Sequence, residues 1–196
     1  MHPSRPLDPA QPVARHATRT ELEAAWQALP GSPRDAGLLE HIVRRPQTGA
    51  REILDTAELD VVEGLVGDNW RTRRSSRTPD GSPHPDTQLT LMNARVIALL
   101  AGVKDRWALA GDQLLVDLDL SADNLPAGMR LGLGTAVIEV TAPPHTGCKK
   151  LMQRYGLDAL QFLSSPAREA ERLRGIYAKV LRSGTIRVGD RIGKLQ

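Results

Sequence analysis

One cysteine, Cys148, stands in 196 residues. A lone thiol excludes an intrachain disulfide and fits a reducing compartment. Aromatics make up only 3% of the chain, so Leu, Val, Ile and Ala must fill the core. The same scarcity argues against the stacking surfaces that single-stranded nucleic acid needs, and a nucleic-acid partner is not expected. No apolar run approaches the roughly 18 residues of a membrane span. The opening stretch, MHPSRPLDPAQPVARHATR, lacks the apolar segment of a signal peptide. The expectation is therefore a cytoplasmic protein with no membrane partner. A net charge of +3 permits an anionic ligand without requiring one.

What is present suits one domain with a small appendage. Residues 1–19 carry four prolines and few apolar side chains, and read as a flexible tail. Residues 20–36 read as a helix and linker. Thr20 and Glu23 fit a capping box, Leu22, Ala25, Trp26 and Leu29 share a face, and Pro30-Gly31 stops the helix. Residues 37–196 form the main domain. Strands are expected at 38–44, 51–54, 87–91, 114–118, 129–133 and 136–140, with 56–64 ambiguous. A hairpin is expected at 176–188, then a last strand near Ile192. Asn93 should cap a short helix over 94–100, and a single helix should span 151–163. Short strands cut by Gly and Asp turns predict a mainly β, α+β fold: a closed or nearly closed barrel with peripheral helices.

The chain is organised around Pro143-Pro144-His145-Thr146-Gly147-Cys148-Lys149-Lys150. A strand-like run enters it and a helix-like run leaves it. A thiol beside two lysines at a helix start should ionise more readily than a free one; a small buried hydrophobe is the bland alternative. His145 either lowers the thiol pKa, moves a proton to substrate, or merely ends a turn. Upstream, Arg71, Arg73, Arg74 and Arg77 follow Trp70 in a long loop, a cluster suited to phosphate oxygens. Asp112, Asp117, Asp119 and Asp123 read as a solvated edge that blocks strand addition.

The second half resembles the MOSC domain, found at the C-terminus of molybdenum-cofactor sulfurases and as small stand-alone bacterial proteins. The resemblance is carried, in order, by Gly111-Asp112-Gln113-Leu114, by Asp123 to Gly128 ahead of Leu131-Gly132-Leu133-Gly134, by Ala136 to Thr141 before Cys148, and by Arg174 to Val180 through Gly184, Gly189 and Asp190. It covers roughly residues 37–193. Many relatives place Pro directly before the cysteine; here Gly147 stands there.

The resemblance implies a barrel-like fold and a Cys148 that either ligates molybdenum in a pterin cofactor or carries sulfur. Thiolate sulfur suits a soft metal, and it can also hold a persulfide. The candidate catalytic residues are Cys148 and His145. Candidate contacts to a molybdenum cofactor are Arg71, Arg73, Arg74 and Arg95 at the phosphate, Asn93 at the pterin edge, and Thr146 and Lys149 near the cysteine. Reduction of N-hydroxylated small molecules would need an electron-donor protein. Sulfur transfer would need a cysteine desulfurase as partner, and pyridoxal phosphate would enter only through that partner. The alternative is a non-catalytic binding module in which the Arg-rich loop grips a phosphate-bearing ligand.

Overall fold

A computed structural model describes residues 15–146 and 149–195. Its strands, in chain order, are β1 (Gly37–Arg44), β2 (Glu52–Leu54), β3 (Thr56–Asp60), β4 (Gly64–Leu65), β5 (Leu89–Asn93), β6 (Leu114–Asp117), β7 (Arg130–Leu133), β8 (Ala136–Val140), β9 (Ile176–Arg182), β10 (Gly184–Arg187) and β11 (Arg191–Lys194). The helices are α1 (Arg19–Ala28), α2 (Ala94–Ala101), α3 (Lys149–Tyr155) and α4 (Leu157–Leu163).

The main sheet runs β11-β7-β8-β9-β5-β6-β1-β2, and β11 also pairs with β1. That pairing, Gly37 opposite Ile192, closes a barrel. β2 lies outside the ring, continuing the same edge of β1 at Ile42 to Arg44. The β5–β6 pair is parallel and the other ladders are antiparallel. Inward side chains such as Leu39, Leu91, Val116, Leu131, Ile138 and Ala178 fill the barrel. A second cluster lies outside it, where Met92, Val96, Ile97, Tyr155, Phe162 and Leu22 join the helices to the wall. Aliphatic residues thus carry the core, as the shortage of aromatics demands. Among the described residues no helix is long and apolar enough to cross a membrane.

Several local expectations are corrected. The capping box of α1 uses Thr18 and Glu21, not Thr20 and Glu23; Glu23 instead pairs with Arg19. Much of the predicted tail, 1–14, lies outside the described residues. Residues 15–18 lie against the body, with His16 Nε2 3.2 Å from the Arg154 carbonyl. The helix expected over 151–163 is two helices broken at Gly156, whose φ of 91° no side-chain-bearing residue adopts easily. The expected hairpin does not form. β9 stays in the barrel, while β10 pairs with β3 in a separate three-stranded sheet. At the branch point a Cβ on Gly184 would come within 2.5 Å of the Ala136 nitrogen, so only glycine fits where the chain leaves one sheet for the other.

Candidate functional site

The site is built on the outer face of β5. Leu91 pairs with Leu114 of β6 on one side and with Ile176 of β9 on the other. The residues two positions ahead of those partners are Asp112 and Arg174, and they meet over β5 beside Met92. Arg174 Nη1 donates to Asp112 Oδ2 at 2.7 Å and lies 3.9 Å from the Met92 sulfur. One residue pair along the ladder, Thr90 faces Tyr177, and both line a cleft of about 420 Å³.

That cleft is cationic. Arg45, Arg51, Arg73, Arg74, Arg77, Arg154, Arg174 and Lys150 line it, and no Asp or Glu stands among its described lining residues. Some of these cations are anchored from behind. Arg45 Nε and Nη2 make a bidentate pair with buried Asp68, at 2.8 and 2.9 Å, and Nη1 reaches the Gly111 carbonyl. The loop after Trp70 reaches across the opening: Arg77 donates to the Pro144 carbonyl at 3.3 Å and sits over the Tyr177 ring. Gly111, at φ 88°, lets the backbone pass close to Arg51 and Arg154.

Crowded like charges have a cost. Burial, then Arg154, Arg45 and Arg73, pull the Arg51 pKa down to about 10. Among the described residues several buried polar atoms around the cleft also lack a hydrogen-bond partner: Arg51 Nε, Arg174 Nε, Trp70 Nε1, His145 Nδ1 and Asn69 Oδ1. A native protein rarely leaves such groups unmet.

His145 is held in the wall by Tyr177, with ring centroids 4.4 Å apart. Its Nδ1 lies 3.6 Å from Asp112 Oδ1, just beyond hydrogen-bonding distance, and neither atom has another partner. A carboxylate so close would ordinarily raise a histidine pKa. Here Arg174 already takes up the charge of Asp112, and burial, Arg174, Arg45 and Arg77 together hold His145 well below its ordinary value. Burial pushes the Asp112 carboxyl up, against the pull of Arg174.

A depressed histidine predicts acid sensitivity. Below an ordinary pKa of about 6.5 the unfolded chain takes a proton at His145 that the folded protein refuses. Stability present above that pKa is lost as pH falls toward the folded value, at up to about 1.4 kcal/mol per pH unit for one proton. His41, also lowered chiefly by burial, acts with the same sign. Asp112, shifted upward, acts with the opposite sign: its contribution is lost as pH rises. Urea unfolding followed from about pH 7.5 to about pH 5 will show the slope, and His145→Gln will make it shallower, with the part due to His41 left in place.

The structure brings some of the expected site residues together and disperses the others. Arg73, Arg74, His145 and Thr146 line the cleft. Arg71 does not; it is exposed, 3.9 Å from Glu63. Arg95 is taken by a bidentate pair with Asp117 and by the Pro30 carbonyl. Asn93 is buried and uses its Oδ1 to cap α2 and its Nδ2 on Ser32 and Leu118. Arg71, Arg95 and Asn93 therefore stand apart from this cleft, and the last two are spent on the fold. Lys149 is exposed on α3, and it is its neighbour Lys150 that lines the cleft. Cys148 lies outside the described residues, though Thr146 and Lys150 on either side in sequence both line the cleft. The solvated acidic edge is corrected at Asp112, which is 1% exposed. Sequence reasoning missed Arg45, Arg51, Arg154 and Arg174 as a set, because they come from three separate segments: the turn between β1 and β2, α3, and the stretch before β9. Among the described residues no three of His, Cys, Asp and Glu converge on a metal position.

Comparison with known proteins places this geometry in context. Residues 85–193, more than half the chain, match the model of the MOSC domain. No curated protein matches the chain. Among solved structures it is similar to the YUAD protein from Bacillus subtilis, with a TM-score of 0.54 and 19% identity over 82% of this chain and 97% of that one. It is also similar to YiiM from Escherichia coli, with a TM-score of 0.52 and 18% identity over 81% and 70%. At such identities the likeness is one of fold.

Proposed function

The chain belongs to the MOSC domain family, and we propose that its arginine-lined cleft holds a molybdenum cofactor, with Cys148 as the thiolate ligand. One observation carries this reading: among the described residues the cleft is lined by eight cations and no carboxylate, and several of its buried polar atoms have no partner there. A phosphate answers the cations, since guanidinium groups match its oxygens. A polar pterin answers Trp70 Nε1, which can only donate, and Asn69 Oδ1, which can only accept. The residues present fit the group.

When bound, the cofactor would supply a redox-active metal able to deliver two electrons to the N–O bond of an N-hydroxylated substrate, whose oxygen leaves as water. Arg51, Arg73, Arg74 and Lys150 would bind its phosphate, and Arg45 and Arg154 would hold the surrounding positive field. Neutral His145 is available to hold or pass a proton at its ring nitrogens. On this reading the protein reduces N-hydroxylated small molecules with electrons from a donor protein. A sulfur-carrier reading uses the same cysteine as a persulfide, supplied by a partner cysteine desulfurase that brings its own pyridoxal phosphate. A phosphate-binding module without chemistry would use the cationic cleft alone.

Elemental mass spectrometry of protein purified from cells able to make the cofactor separates these readings. The expected result is molybdenum near one per chain in the parent, lost in Cys148→Ser and lowered several-fold in Arg73→Ala with Arg74→Ala. Molybdenum absent from the parent removes the cofactor reading. A persulfide on Cys148 would then favour the carrier.

A further inference from the structure

A second cavity, of about 840 Å³, lies against the other side of the segment 141–146. Its opposite wall is the segment 163–175. Among described residues it shares only His145, Thr146 and Arg174 with the cationic cleft. These three form a septum between the two spaces. The His145 and Arg174 side chains are 7% and 8% exposed, and among the described residues Arg174 Nε has no partner.

The two spaces differ in character. Ala142, Pro143, Ala167, Leu173 and Ile176 give the second cavity an apolar wall, with the hydroxyl groups of Thr141, Ser164 and Ser165 set into it. Its charges cancel. Arg174 is matched by Asp112 and Arg168 by Glu171, which leaves Arg172 and Glu169 of opposite sign. The wall is firmly built. Arg172 adopts φ 50° and Gly175 φ 103°, and a Cβ on Gly175 would press 2.1 Å from the Leu91 carbonyl oxygen. Arg172 Nη1 ties the turn to the Leu125 carbonyl at 2.8 Å. This tight turn delivers Arg174 into the septum.

We propose that this second cavity is the substrate chamber, and that it takes a small, uncharged, mostly apolar molecule bearing one hydrogen-bond-accepting oxygen. The oxygen accepts from Arg174 Nε and lies against His145, at the boundary that the chamber shares with the cofactor cleft. An anion is drawn to the first cleft, where no described lining residue is a carboxylate; the second offers apolar surface, the hydroxyl groups of Thr141, Ser164 and Ser165, and the buried Arg174 Nε. Such a space, walled by apolar groups with few placed polar atoms, has the make-up of a small-molecule site. The role as substrate chamber rests on the reading of the first cleft; the selectivity of the cavity does not.

The test uses the full chain, labelled with nitrogen-15, and para-fluorobenzamide as probe. Fluorine and amide NMR should show saturable binding, with shifts at Ala122, Leu173 and Ile176. Ala170→Trp fills the cavity from an exposed position of the 163–175 wall, and Ala167→Trp does so from a neighbouring one. Each should weaken the probe about tenfold or more and leave pyrophosphate binding in the first cleft unchanged. Para-fluorobenzoate, the charged analogue, should bind more weakly than the amide. The proposal is overturned if the amide does not saturate, if its shifts fall on the first cleft, if both tryptophan variants bind as the parent does, or if the benzoate binds as well. Loss of pyrophosphate binding in the parent would instead strike the first-cleft reading, while the probe reports on the second cavity by itself.

Discussion

Asp112→Asn will destabilise the protein by about 3–5 kcal/mol, the usual cost of removing one partner from a buried ion pair. Urea unfolding at neutral pH will show it as a lower midpoint with an unchanged slope. Asp112 is 1% exposed and is the carboxylate that meets Arg174. Asparagine keeps the shape but removes the charge that Arg174, Arg45 and Arg51 all feel, and leaves the Arg174 guanidinium buried without its carboxylate. The double variant Asp112→Leu with Arg174→Met removes both charges and should recover most of the loss. If it is as unstable as the single variant, packing and not charge holds the septum together. The cluster joins β6 to β9 across β5, so its loss should also disturb both cavities at once.

Arg51→Met is expected to act in opposite directions on stability and on binding. Arg51 is partly buried, faces Arg154, Arg45 and Arg73, and loses basicity because of them. Methionine keeps much of the apolar stem and ends the repulsion, so the melting temperature of the ligand-free protein should rise. Affinity for pyrophosphate, measured by calorimetry, should fall about tenfold or more, since a charge-assisted hydrogen bond is worth about 1.5–3 kcal/mol. A fall in both would mean that Arg51 is a structural residue. This pairing of strain with function is the pattern expected where a site is assembled at the expense of the fold.

The sequence made the barrel legible because its signals are local. The strand now named β8 is a short apolar run bounded by Gly134 on one side and by Pro143-Pro144 on the other. Asn93 does cap α2, because a side chain two or three residues from the amides it serves needs no distant information. The errors came where two local answers competed or where the third dimension decided. Thr18 and Thr20 both begin a capping pattern, and only the packing of Leu22 beneath the helices selects one. Arg95 has the chemistry of a phosphate contact, but Asp117 reaches it first. The cationic cleft was half visible, since Arg73 and Arg74 sit together in sequence. Arg45, Arg51, Arg154 and Arg174 were invisible as partners because the chain must fold before they share a space. Asp112 was misread for the same reason: a carboxylate on a turn is usually solvated, and nothing within several residues announces the arginine that covers it.

The seam between β1 and β11 bears on how the protein is made. The strand that closes the ring leaves the ribosome roughly 150 residues after the one it must meet, and bridging so long a loop is entropically slow. Until β11 is made, the first half of β1, and β7 once it exists, therefore stand with open edges, surfaces that invite pairing with a second nascent chain. The nascent chain meets its greatest aggregation hazard just before Ile192 arrives, and the helper that matters most at that moment is whatever shields a strand edge.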